Sequence, residues 1–189
     1  MLYINGKKAD RVQNVIHAIY HECRVLRETI LEYNKCIDFN SNYLNNLIDE
    51  YPELLSASLE SMRYRIMIGM GVLFDENKKS LSINKMINLC EQVGKKELNK
   101  EVKNAKIELL KFNDLKNNIK QLRDKMYAHI EIEYSLEEED IFDLDFDFLN
   151  QQLVLSLDLL DYVMNLCKVF SEKYDNDILK LKISNRFNK

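Results

Sequence analysis

The chain has 189 residues, a formal net charge of −4, four glycines and one proline. So few glycines and prolines leave little material for hairpin turns or a glycine-rich phosphate loop, and the length suits one domain over 1–189. The net negative charge does not indicate a nucleic-acid-binding surface over the molecule as a whole.

Apolar residues recur every three or four positions in the first half of the chain, which predicts α-helices. The first helix is predicted over 10–37, with Asp10 as its N-cap, and a shorter segment follows over 43–51. Pro52 suits the first turn of a helix over 53–75 that is apolar nearly all round. Such a helix is typical of the centre of a bundle or of a subunit interface.

The second half of the chain continues the helical pattern. Ser82 is a candidate N-cap for a short helix that ends at Gly94. A longer, more polar helix is predicted over 96–128 and a last, strongly apolar helix over 146–173, with a loop over 131–147 between them. The sequence therefore predicts an all-α bundle of five or six helices.

Charges are distributed unevenly along the chain. Residues 95–125 carry ten basic and five acidic side chains, whereas residues 131–147 carry nine acidic side chains and no basic one. An acidic run of this kind is usually a solvated loop. The alternative is that it shields the basic helix until an RNA or a partner displaces it.

Cysteine and histidine usage gives little support for a metal site. No C-x-x-C motif occurs, and the chain has three histidines in total. The cysteines are far apart in sequence and are expected to be buried or half-buried thiols in a reducing cytosol: Cys23, Cys36, Cys90 and Cys167. We expect no metal and no cofactor.

Two further features of the sequence are candidate binding sites. His17 and His21 have a spacing compatible with metal binding, but the adjacent apolar stripe favours histidines at the edge of the core. Arg63 and Arg65 lie in an apolar segment and would suit a phosphate. The favoured interpretation is that one reaches solvent while the other pairs with an acid such as Glu60.

The N-terminal segment has no apolar targeting region, and no apolar run approaches about 20 residues. The sequence therefore predicts a cytoplasmic protein without a membrane span.

The segment RDKMYAH contains a candidate catalytic pair, Arg123 and His129. On a straight helix these residues lie about 9 Å apart along the axis and about 120° apart around it, so they do not face each other. A two-fold dimer would bring two copies of each residue into one cleft. The alternative is a surface ion pair at Arg123 and a helix C-terminus stabilised by His129.

Such a cleft suits RNA cleavage, because the ribose 2′-OH already supplies the nucleophile. A histidine takes or gives a proton near neutral pH, and a guanidinium binds the phosphate and stabilises its transition-state charge. In this hypothesis His129 is the general acid or base and Arg123 binds the phosphate. Asp124 orients Arg123 or a histidine.

LRDKMYAH, at the end of a long helix, resembles the R-x(4–6)-H signature of the HEPN superfamily, in which a polar residue often follows the arginine. The segment RYRIMIGMGVLFDENKKSLSINKMINL is similar to the abortive-infection AbiU-type branch of that superfamily. The resemblance spans about 10–170 and implies a HEPN-like helical bundle that forms a homodimer. It also implies a metal-independent endoribonuclease of a phage-defence or toxin–antitoxin system.

In that interpretation Arg123, Asp124 and His129 are the catalytic residues, RNA is the substrate, and an antitoxin or a defence-system protein is a partner. Some members of the superfamily are non-catalytic, so an alternative is a helical module that binds RNA, a nucleotide or a protein. A third interpretation is a purely structural dimer that uses the apolar helices over 53–75 and 146–173.

Overall fold

The structure is a computed structural model. It describes the backbone of residues 2–37, 50–77, 80–94, 96–133 and 146–187. Side chains are described for residues 11–37, 50–77, 80–94, 96–124 and 151–174.

The described elements are all helical, and this part of the chain contains no strand. In chain order they are α1 (Leu2–Ile37), α2 (Pro52–Leu73), α3 (Ile83–Gln92), α4 (Lys96–Leu109), a 3₁₀ turn (Leu110–Phe112), α5 (Asn113–Glu133) and α6 (Phe146–Phe187). The six α-helices become five if α4, the turn and α5 are counted as one run. The predicted fold class, all-α with five or six helices, is confirmed.

Local signals correctly predicted several helix ends. Pro52 is the first residue of α2. Ser82 is the N-cap of α3, and its hydroxyl oxygen accepts a 3.3 Å hydrogen bond from the backbone N–H of Lys85. Gly94 follows α3 with a φ of 73°, a left-handed conformation that favours glycine.

Other predicted boundaries were wrong. Helix α1 begins at Leu2, so Asp10 lies inside it and is not its N-cap. A cap signal is local, and no proline before Asp10 prevents the helix from extending toward the N-terminus. Helix α6 continues to Phe187, past the predicted end of the apolar stripe, because lysine and other polar residues there still tolerate helical backbone.

The remaining differences concern the middle of the chain. A 3₁₀ turn interrupts the helix predicted over 96–128, and α5 then runs on to Glu133. The first residues of the predicted acidic loop are therefore helical. The rest of that loop up to residue 145, and most of the predicted segment 43–51, lie outside the described residues.

The contacts group the chain into two compact units. Unit 1 comprises Met1–Cys23, Val72–Asn113 and Asp161–Lys189. In this unit α3 contacts α4. The amide of Gln13 on α1 donates a 2.6 Å hydrogen bond to the hydroxyl of Ser171 on α6.

Unit 2 comprises Arg24–Gly71 and Asp114–Leu160, and it contains Arg123. Parts of α1, α2, α5 and α6 form its core from aliphatic side chains, one tyrosine and two methionines: Leu26, Ile30, Tyr33, Ile66, Met67, Met70, Leu115, Ile119, Leu122, Leu153, Leu159 and Leu160. These residues recur at helical spacing on each helix, so each helix turns one apolar stripe inward. None of the helices in the described part of the chain is long and apolar enough to cross a membrane.

Candidate functional site

Helix α5 carries the predicted catalytic residues, and its apolar stripe fixes which way they point. Leu115, Ile119 and Leu122 are buried in the core of unit 2. Arg123 directly follows the last of these, about 100° further around the helix. The arginine therefore starts at the border between the buried stripe and the surface, and its side chain is 31% exposed.

A polar contact joins α5 to α6 within this unit. The side-chain amide of Asn118 donates a 3.1 Å hydrogen bond to the amide oxygen of Gln152, which is itself buried. One turn further along α6, the hydroxyl of Ser156 donates to the backbone carbonyl of Gln152. Asn118 is half-buried, so the pair is partly shielded from water. A directional hydrogen bond of this kind specifies how the two helices align more narrowly than apolar contacts do.

The Arg123 guanidinium is paired with its neighbour in sequence. Nε and Nη2 of Arg123 donate to the same oxygen of Asp124, at 3.2 and 2.9 Å. Adjacent residues on a helix do not face each other, so this pair forms because the long arginine side chain bends back around the helix. The structure thus shows Asp124 in contact with Arg123, and the orienting role of Asp124 stays a prediction.

The arginine side chain also lies against α2. A Cβ atom placed on Gly71 would be 3.0 Å from Cδ of Arg123, 3.5 Å from Nη1 and 3.9 Å from Nε. Gly71 is buried within the helix, so the aliphatic part of the arginine packs on helix backbone that carries no side chain. Gly71 and Asp124 thus contact the same side chain.

His129 lies on α5, six residues after Arg123. Its side chain is outside the described residues, as are all side chains from 125 to 150. The roles of Arg123, Asp124 and His129 in catalysis stay predictions.

The two other candidate clusters lie on α2 and α1. The guanidinium of Arg63 lies 5.9 Å from the ring centre of Tyr33, a cation–π contact between α2 and α1. His17 and His21 are both exposed on α1, further from the core than predicted. Among the described residues, no group of three or more histidine, cysteine or acidic side chains is arranged to hold a metal ion.

The cysteines match the prediction of buried or half-buried thiols. All four are free, with Cys23, Cys90 and Cys167 buried in unit 1 and Cys36 half-buried. Burial raises the pKa of Cys90 to about 12, and burial together with the nearby Cys90 raises that of Cys167 to about 12. Burial raises the pKa of Cys23 further still. Because the thiolate is the nucleophile, thiols with such raised pKa values react poorly.

Sequence reasoning missed Gly71 and Gln152. A glycine inside an apolar helix costs stability relative to alanine, so Gly71 carried a detectable signal that some close contact requires it. Gln151 and Gln152 are adjacent in an apolar helix, which is a weaker indication that one of them makes a polar contact inside the core. The sequence alone does not indicate which of the two is buried.

A model of the AbiU2 family, a HEPN family, matches residues 10–180. The match covers most of the chain, so the protein belongs to the AbiU2 family of HEPN proteins, as the resemblance implied. It is therefore an abortive-infection-related HEPN protein. No curated protein and no solved structure gives a match.

Proposed function

We propose that this protein is a metal-independent endoribonuclease of a prokaryotic phage-defence or toxin–antitoxin system, acting in the cytoplasm. Membership of the AbiU2 family supports the defence context. The observation that carries the catalytic part of the proposal is the half-buried Arg123, which Asp124 and α2 hold from two sides. A permanently charged group held in this way is suited to a phosphate in a defined position.

The proposed reaction uses the RNA's own nucleophile. The ribose 2′-oxygen attacks the adjacent phosphorus as its proton leaves, and the bond from phosphorus to the 5′-oxygen breaks as that oxygen gains a proton. His129 carries out one of these proton transfers. The products are a 2′,3′-cyclic phosphate, which hydrolysis converts to a 3′-phosphate, and a new 5′-hydroxyl end.

Arg123 stabilises the charge that develops on the phosphate oxygens. Asp124 engages the guanidinium through Nε and Nη2, on one edge of its planar fork. A guanidinium has five N–H donors, so the edge formed by Nη1 and Nη2 retains donors for a phosphate.

The site is composite in this proposal. The spacing of Arg123 and His129 on α5 separates them around the helix axis, so two copies related by a two-fold axis supply the acid, the base and the phosphate contacts of one cleft. A monomeric variant that keeps its fold is expected to lose cleavage. A monomer with full activity contradicts the composite site.

The decisive experiment is cleavage of total cellular RNA in EDTA by the wild type and by His129→Ala and Arg123→Ala. His21→Ala is the matched control, because His21 is an exposed histidine on another helix. Circular dichroism and light scattering verify the fold and the oligomeric state. We expect the wild type and the control to cleave, and both α5 variants to be strongly impaired.

Other outcomes distinguish the alternatives. RNA binding without cleavage by the wild type supports a non-catalytic helical module that binds RNA, a nucleotide or a protein. Equal cleavage by the wild type and His129→Ala contradicts the assignment of His129. Cleavage by the wild type with added Mg²⁺ but not in EDTA contradicts the metal-independent mechanism.

A further inference from the structure

Gly71 lies inside α2, where glycine is an unfavourable choice. A glycine in a helix interior gains conformational freedom on unfolding and is less stable there than alanine. Among the described residues, Gly94 is the glycine that adopts a positive φ. The backbone at Gly71 thus suits alanine, so any advantage of glycine at this position comes from space.

Arg123 occupies that space. The three heavy atoms nearest to a Cβ placed on Gly71 all belong to Arg123, and the closest is Cδ at 3.0 Å. Carbon atoms in favourable van der Waals contact lie about 3.5–4.0 Å apart, so an added methyl group displaces the arginine. Cδ carries the guanidinium, so a small displacement there changes where all the nitrogens point.

We propose that Gly71 is a positioning residue for Arg123, and this inference rests on the proposed ribonuclease function. The bare backbone at Gly71 lets the arginine pack closely on α2, and the hydrogen bonds to Asp124 then fix the rotation of the guanidinium. The contact sets the direction in which the remaining N–H donors point. Gly71 itself does not touch the RNA.

A first test measures the contact without reference to catalysis. Urea unfolding is compared for the wild type, Gly71→Ala, Arg123→Ala and the double variant. Where Arg123 is absent, alanine at this position is expected to raise the ratio of folded to unfolded protein about three- to fivefold, through its higher helix propensity. Where Arg123 is present, that gain is lost or reversed by crowding. The inference is overturned if Gly71→Ala raises the stability equally in the presence and in the absence of Arg123.

A folding failure is also informative. If Gly71→Ala does not fold but the double variant does, the crowding by Arg123 is demonstrated. If neither folds, alanine is excluded by something other than Arg123, and the inference is overturned.

A second test measures the functional consequence. A misplacement of about 1 Å costs about a hundredfold in rate, and the contact at Gly71 calls for a shift of only a few tenths of an ångström. Gly71→Ala is therefore expected to lower RNA turnover about two- to tenfold, with a smaller change in KM. In the Arg123→Ala background the same substitution is expected to change nothing further. Ser61→Ala, at an exposed position of α2, is the control and is expected to cleave normally.

The outcomes separate this inference from the proposed function. An equal loss of turnover on adding Gly71→Ala to the wild type and to Arg123→Ala means that Gly71 has only a structural role. If the wild type does not cleave RNA, the proposed function fails, and binding of a labelled RNA oligonucleotide takes the place of turnover. Weaker binding on Gly71→Ala that depends on Arg123 then supports the positioning role, and unchanged binding overturns it.

Discussion

Asn118 on α5 and Gln152 on α6 form a side-chain hydrogen bond of 3.1 Å, and the Gln152 side chain is only 4% exposed. Asn118 lies five residues before Arg123 on α5, so the two side chains leave the helix about 140° apart around its axis. This hydrogen bond helps to fix how α5 is aligned with α6 within unit 2.

Replacing Gln152 by alanine is expected to destabilise the protein by about 1–2 kcal/mol, because a part-buried hydrogen bond is lost and the half-buried Asn118 amide loses this partner. The measurement is urea unfolding followed by circular dichroism. Gln151→Ala is the matched control, since Gln151 is the exposed neighbour and is expected to change stability by less than about 0.5 kcal/mol. A similar loss of stability in Gln152→Ala and Gln151→Ala contradicts a stabilising role for the hydrogen bond between Asn118 and Gln152.

Asp124→Asn is expected to change stability by less than about 1 kcal/mol, because a partly exposed ion pair contributes little. Removal of a negative charge beside Arg123 is expected to tighten RNA binding. Cleavage is nevertheless expected to slow, since an amide oxygen accepts more weakly than a carboxylate and orients the guanidinium less firmly. Filter binding and cleavage assays on the same RNA measure the two effects.

Asp158→Asn is the control for that substitution, because Asp158 is exposed on α6. It is expected to leave cleavage unchanged. Faster cleavage by Asp124→Asn, in step with tighter binding, contradicts an orienting role for Asp124.

In the native protein, a thiol reagent is expected to label Cys36 before the three buried cysteines. Cys23, Cys90 and Cys167 are inaccessible, and burial raises their pKa values, so little thiolate is present to react. Mass spectrometry of digested protein, labelled with and without urea, identifies the modified sites. Rapid labelling of all four cysteines without urea contradicts the burial.

The raised pKa values of these thiols also predict how the stability of the protein changes at alkaline pH. Folding raises the pKa values of Cys90 and Cys167 from 9.0 to about 12, so the folded state keeps protons that the unfolded state loses. The contribution of the two protonated thiols to the free energy of unfolding is fully present below about pH 9. It falls as the pH rises toward about 12.

Each such thiol contributes a slope of up to about 1.4 kcal/mol per pH unit in that window. Urea unfolding of the wild type and Cys90→Ala, at matched pH values across it, measures the difference. The variant is expected to lose stability less steeply, since one of the titrating thiols is gone. If the free energy of unfolding falls equally steeply with pH in the two proteins, Cys90 does not contribute to the pH dependence.

Helical periodicity and local chemistry allowed much of the fold to be predicted. Pro52 and Ser82 were placed correctly because a helix start depends on groups within one turn of it. Asp10 was placed wrongly for a related reason: its side chain is a good cap, but neighbouring residues were able to continue the helix. The candidate pair on α5 came from spacing and from resemblance to a family.

By itself, then, the sequence determined the helical class, most helix positions and the family to which the chain belongs, since these follow from local periodicity and from recognisable segments. Only the tertiary structure decided which side chains meet across helices: Arg123 against Gly71, and Asn118 with Gln152. Such contacts depend on how far each helix is rotated and shifted against its neighbour. That rotation and shift result from the packing of the whole core, which no local stretch of sequence specifies.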